Sequence, residues 1–86
     1  MRLTDEAILR ESRGKLILLV INNKDTKAME VNESFAFLWN YFQGKVFSLP
    51  DIADTLSKEY DLDSETAMSE AHGVVSLWRE KNLLVE

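Results

Sequence analysis

The stretch Thr26-Lys27-Ala28-Met29-Glu30-Val31-Asn32-Glu33-Ser34-Phe35-Ala36-Phe37-Leu38-Trp39-Asn40-Tyr41-Phe42 contains the change of period that decides the fold. Before Asn32, Ala28 and Glu30 alternate with Lys27, Met29 and Val31, the two-residue period of a strand with an open edge or face. After Asn32, Phe35, Leu38, Trp39 and Phe42 stand at i, i+3, i+4 and i+7, one face of an amphipathic helix. Asn32 is the expected N-cap and Gly44 the expected stop. Phe37 and Tyr41 form a second stripe, so this helix is expected to be buried on two sides and to form the centre of the core.

Upstream, Ala7-Ile8-Leu9-Arg10-Glu11 is a short apolar run closed by Ser12-Arg13-Gly14, and Lys15-Leu16-Ile17-Leu18-Leu19-Val20-Ile21 follows at once. A three-residue connection ending in glycine predicts a hairpin. The second run is nearly continuous in Leu, Ile and Val, which predicts a strand paired centrally or covered on both faces. Asn22-Asn23-Lys24-Asp25 reads as the turn into the third strand, Thr26 to Val31.

Downstream, Ser48-Leu49-Pro50-Asp51 reads as a capping box with proline in the first turn, ahead of a helix whose apolar face is Leu49, Ile52, Ala53 and Leu56. Asp63 or Ser64 caps a third helix with the stripe Ala67, Ala71, Val74, Val75 and Trp78. Asn82 is its expected left-handed stop, and Leu83-Leu84-Val85 is expected to fold back onto the core. The order predicts one α+β domain over residues 1–86, a three-stranded antiparallel sheet followed by three helices with winged helix-turn-helix-like packing.

With 86 residues the chain has room for one core but little for a deep catalytic cleft. It has no cysteine, so thiolate metal sites and disulfides are excluded, and a reducing, cytoplasmic setting is expected. The longest apolar run, Leu16 to Ile21, is too short to span a bilayer, and no membrane partner is expected. The net charge of −5 is uneven: residues 1–29 carry six basic and four acidic side chains, residues 30–86 four basic and eleven acidic. An acidic C-terminal part disfavours phosphate-backbone contacts and suits a basic or neutral partner.

The motifs for chemistry are sparse. His72 is the only histidine, with no cysteine and no converging carboxylates around which to build a catalytic group. Asp61, Asp63 and Glu65 resemble the start of a calcium loop, but Thr66 stands at its sixth position and His72 at its twelfth, where glycine and glutamate are required. Gly14, Gly44 and Gly73 stand alone, read as a turn, a helix stop and a site of tight helix packing. A DNA-reading third helix would need basic and amide side chains on one face, yet Glu65, Glu70 and Glu80 outnumber Arg79 and Lys81. There remains the groove between the third strand and the third helix, where an unpaired strand edge can template an added strand.

At this point the sequence resembles the PqqD family, named for pyrroloquinoline quinone biosynthesis. Val31-Asn32-Glu33-Ser34-Phe35-Ala36-Phe37-Leu38-Trp39 is similar to the family's "LNxTAAxIW" segment, and Ser48 to Leu56 to its "S/TxxEIAxxL" helix. Tyr60-Asp61-Leu62-Asp63 is similar to its "YDVD" junction, and Glu70 to Leu83 to its "DVxxFLxxLxxxGL" ending. The resemblance implies a precursor-peptide recognition element, which binds the leader of a ribosomally made peptide by strand addition and presents it to a modifying enzyme such as a radical SAM protein. It implies no catalytic residue, no metal and no cofactor. By position it assigns backbone pairing to Thr26, Lys27, Ala28, Met29, Glu30 and Val31, and side-chain contacts to Glu70, Val74, Leu77, Trp78 and Lys81. Asn82 replaces the family's usual glycine, Glu70 a common aspartate, and Trp78 a usual leucine. Two other classes stay open: a winged-helix DNA-binding regulator, and a homodimer formed by pairing of edge strands.

Overall fold

The computed structural model describes residues 1–21 and 26–85. The expected turn Asn22-Asn23-Lys24-Asp25 lies outside the described residues. The elements are β1 (Arg2–Leu3), β2 (Ala7–Ser12), β3 (Lys15–Ile21), β4 (Thr26–Val31), α1 (Glu33–Phe42), α2 (Leu49–Tyr60), α3 (Ser64–Glu80) and β5 (Leu84–Val85). β2, β3 and β4 form an antiparallel sheet in that order, followed by the three helices, so the α+β expectation holds.

The β2–β3 connection is tighter than the expected three-residue loop. Ser12 pairs with Lys15, and only Arg13 and Gly14 turn the chain, both at positive φ (53° and 78°). Two left-handed central residues match the right-handed twist of the strands they join, which is why a two-residue loop suffices.

Local capping sets each helix boundary. The Asn32 side chain accepts the Phe35 N–H at 2.8 Å, and the Asp51 carboxylate accepts both the backbone N–H of Ser48 (2.8 Å) and its hydroxyl (3.0 Å). Of the two candidates for α3, Asp63 is the cap: its carboxylate accepts the Thr66 N–H at 2.7 Å. At the far end Asn82 is left-handed (φ 60°), the Leu83 N–H donates to the Trp78 carbonyl at 2.8 Å and the Asn82 N–H to Arg79 at 3.0 Å. This pair of bonds is a Schellman motif, and it turns the chain so that Leu83 enters the core.

One element escapes any reading of local pattern. β1 and β5 pair antiparallel, Arg2 with Val85 and Leu3 with Leu84, and the Thr4 N–H donates to the Leu83 carbonyl at 2.8 Å. The amino group of Met1 donates to the Phe47 carbonyl at 2.9 Å and the Phe47 N–H returns a bond to Met1 at 2.8 Å.

The core joins Leu18 of the sheet to Leu38, Trp39 and Phe42 of α1, Ile52 and Leu56 of α2, Val75 and Trp78 of α3, and Phe47 and Leu83 of the connections. The second stripe of α1 reaches it only in part, through Phe37. Tyr41 is 46% exposed with the Lys45 ammonium 3.9 Å from its ring centre, and Phe37 is half-buried against Tyr41 and Tyr60. Gly73 also departs from expectation, since a Cβ added there would meet nothing within 4 Å. Tight packing is not its role.

The bonds from Thr66 hold the Asp63 carboxyl below the ordinary aspartate value. Its contribution to stability is therefore complete above the unfolded pKa and fades as the pH falls through the lower folded value. Thermal unfolding followed across the acid range should show this loss, and Asp63→Asn, which keeps a capping oxygen without the titration, should flatten that part of the profile.

Candidate functional site

The edge of β4 is the starting point, because the sheet ends there. The Ile21 N–H donates to the Glu6 carbonyl at 2.7 Å, one step beyond the Ala7–Val20 pair. In an antiparallel ladder the residues of a hydrogen-bonded pair exchange both bonds, and the direction alternates from residue to residue. Ile17, Leu19 and Ile21 therefore face β2 with their backbone groups, and Leu16, Leu18 and Val20 face β4. Their partners Val31, Met29 and Lys27 point back at β3. Thr26, Ala28 and Glu30 are left with N–H and C=O groups aimed outward from the sheet. Sequence reasoning named all six residues of β4 for backbone pairing; three of them have the free groups that an added strand needs.

Beside this edge runs a groove of about 750 Å³, within the range of ligand sites. Met29, Glu30 and Val31 form one wall, and Glu70, Gly73, Val74 and Leu77 of α3, with Lys81 at its C-cap, the other. Val74 is half-buried and Leu77 is 38% exposed, so apolar surface is open to solvent along the helix wall. Glu30, Glu70 and Lys81 supply charges at the rim, all on exposed residues.

Four of the five helix residues expected at the groove are there: Glu70, Val74, Leu77 and Lys81. Trp78 is not. It is 0% exposed, packed edge-on against Phe35, Trp39 and Phe47 with ring centres 6.4, 6.5 and 5.9 Å away. The reason is helical spacing: Trp78 continues the row Ala67, Ala71 and Val75, all buried, whereas Val74 and Leu77 lie on the adjacent face. Trp78 shapes the groove from behind and offers it no surface.

Sequence reasoning missed the floor. Phe35 and Leu38 of α1, Leu56 and Tyr60 of α2, and Leu62 of the α2–α3 junction complete the apolar lining. Gly73 was read as a packing glycine but lines the groove, where a missing side chain leaves the helix backbone open to approach. An isolated glycine in the interior of a helical pattern was the available signal.

His72 is exposed on α3 and does not line the groove. Among the described residues no group of three His, Asp or Glu side chains comes together in a way that could hold a metal ion. Among the described residues no helix is long and apolar enough to cross a membrane.

A comparison with protein-family models matches residues 18–84 to the model described as coenzyme PQQ synthesis protein D (PqqD). Neither the curated proteins nor the solved structures give a match.

The alternation along β4 is testable by stability alone. Ala28→Pro removes an N–H that bonds nothing within the sheet, and proline is accepted at such edge positions. Met29→Pro removes a ladder bond to β3. Chemical denaturation should place Met29→Pro at least about 1 kcal/mol below Ala28→Pro.

Proposed function

The chain belongs to the PqqD family, and from that premise we propose that it is a peptide-binding chaperone, which takes up the leader segment of a ribosomally made precursor by strand addition and presents it to a modifying enzyme such as a radical SAM protein. Family membership fits a role in the biosynthesis of PQQ or of another ribosomally derived, modified peptide. The observation that carries the finer reading is the pairing of an open strand edge with an apolar groove of peptide dimensions.

Such a site divides its work. Thr26, Ala28 and Glu30 exchange backbone hydrogen bonds with the leader, which hold any extended peptide with little regard to sequence. Alternate side chains of the leader then enter the groove, where Met29, Val31, Val74 and Leu77 reward apolar residues and the floor of Phe35, Leu38, Leu56 and Leu62 receives a large one. The open helix backbone at Gly73 lets the peptide lie close to α3. Glu30 and Glu70 favour a basic residue in the leader over an acidic one, while Lys81 offers the opposite preference at its own position. The protein itself performs no bond-making step in this account, and it works in the cytoplasm alongside its enzyme.

Calorimetric titration with leader peptides from precursors encoded beside the gene tests this reading. Gly73→Phe fills the groove without meeting any neighbour near its Cβ, so the fold should persist while the peptide dissociation constant rises about tenfold or more, a change of about 1.4 kcal/mol. Equal affinity of the variant and the parent protein would exclude the groove. Duplex-DNA binding that weakens steeply with salt, with no peptide binding, would replace the proposal with the regulator reading.

A further inference from the structure

The sheet has a second face that takes no part in the core. Pairing register puts Ile8, Leu19 and Ala28 in one row across the three strands, and Arg10, Ile17 and Glu30 in the next. Ala7, Leu9, Leu18, Val20, Met29 and Val31 pack into the core, whereas none of Ile8, Ile17, Leu19, Ile21 and Ala28 does. Ile8 is 42% and Ile21 45% exposed. The central strand, whose near-continuous run of Leu, Ile and Val is the pattern of a strand covered on both faces, is thus covered on one face only.

We propose that this face stacks against the same face of a second copy, about a twofold axis parallel to the strands. The charges argue for a second copy over an unrelated partner. Arg10 and Glu30 stand at opposite edges of one row, and neither forms an ion pair among the described residues. A twofold axis along β3 lays β2 of one copy over β4 of the other. Arg10 then meets Glu30 of the second copy, and the contact occurs twice by symmetry. In the neighbouring row the same operation sets the large Ile8 against the small Ala28, with Leu19 and Ile17 each close to its own counterpart. Stacked sheets sit about 10 Å apart and are rotated by about 30°, which the long Arg10 and Glu30 side chains can follow.

Three strands of six or seven residues make a small face, less than the roughly 1,200 Å² that a standard stable interface buries, so the dimer forms and dissociates with concentration. The outward groups of Thr26, Ala28 and Glu30 remain free in it. The assembly therefore leaves the strand edge open and is compatible with an occupied groove, Glu30 being the residue that the two surfaces share.

Sedimentation equilibrium over a wide concentration range provides the test. The parent protein should show reversible dimerisation. Arg10→Glu should raise the dimer dissociation constant about tenfold or more, and adding Glu30→Arg to it should recover most of that loss. Leu19→Lys should abolish association while the circular dichroism spectrum stays that of the parent. A protein that remains monomeric at every concentration overturns the proposal. So does a dimer that tolerates Arg10→Glu or Leu19→Lys, the behaviour expected of pairing through strand edges.

Discussion

The indole of Trp78 holds the helices in the arrangement on which the groove depends. It lies where α3 crosses α1 and the connection from α1 to α2, and three other aromatic rings, Phe35, Trp39 and Phe47, press on it within 6.5 Å of its centre. Replacing such a side chain by alanine costs about 3–5 kcal/mol, a large share of the stability of a small domain. The same residue also fixes the end of its helix, since its carbonyl accepts the Leu83 N–H and so directs Leu83 inward and residues 84–85 towards β1. Its indole nitrogen finds no hydrogen-bond partner among the described residues. Bulk and not polarity is what the position uses.

With α3 anchored from behind, its other face stands away from β4 across the groove. The two walls differ in kind: β4 offers backbone groups in a fixed alternation, and α3 offers Val74, Leu77 and a bare stretch at Gly73. Strand addition needs both, because a strand edge alone binds without discrimination and an apolar helix face alone does not fix register. The sheet's far side is a second surface, where the row of Arg10, Ile17 and Glu30 concerns assembly; Glu30 belongs to both surfaces, since it also stands at the rim of the groove.

The helices were legible in the sequence because their signals are local. Asn32, Ser48 with Asp51, Asp63 and Asn82 each act within a few residues of themselves, and each is found doing what its identity predicts. The β1–β5 pair was not legible, since it consists of two residues at each end of the chain joined across nearly its whole length. At the site the result was mixed for a related reason. Helical period put Trp78 in the buried stripe, and the structure agrees; its assignment to the groove came from positional resemblance, where a tryptophan stands in place of a leucine. The floor of Phe35, Leu38, Leu56 and Leu62 is assembled from three segments whose meeting no single period reveals. Which three amides of β4 face outward follows only from the register of a sheet, a relation between strands.

Residue-by-residue amide hydrogen exchange along β4, with and without a leader peptide, tests this account most directly. In the free protein Lys27, Met29 and Val31 should exchange slowly while Thr26, Ala28 and Glu30 exchange fast, and the peptide should slow the second set to join the first. Outward amides that stay fast in a saturated complex, or six amides that respond alike, would contradict it.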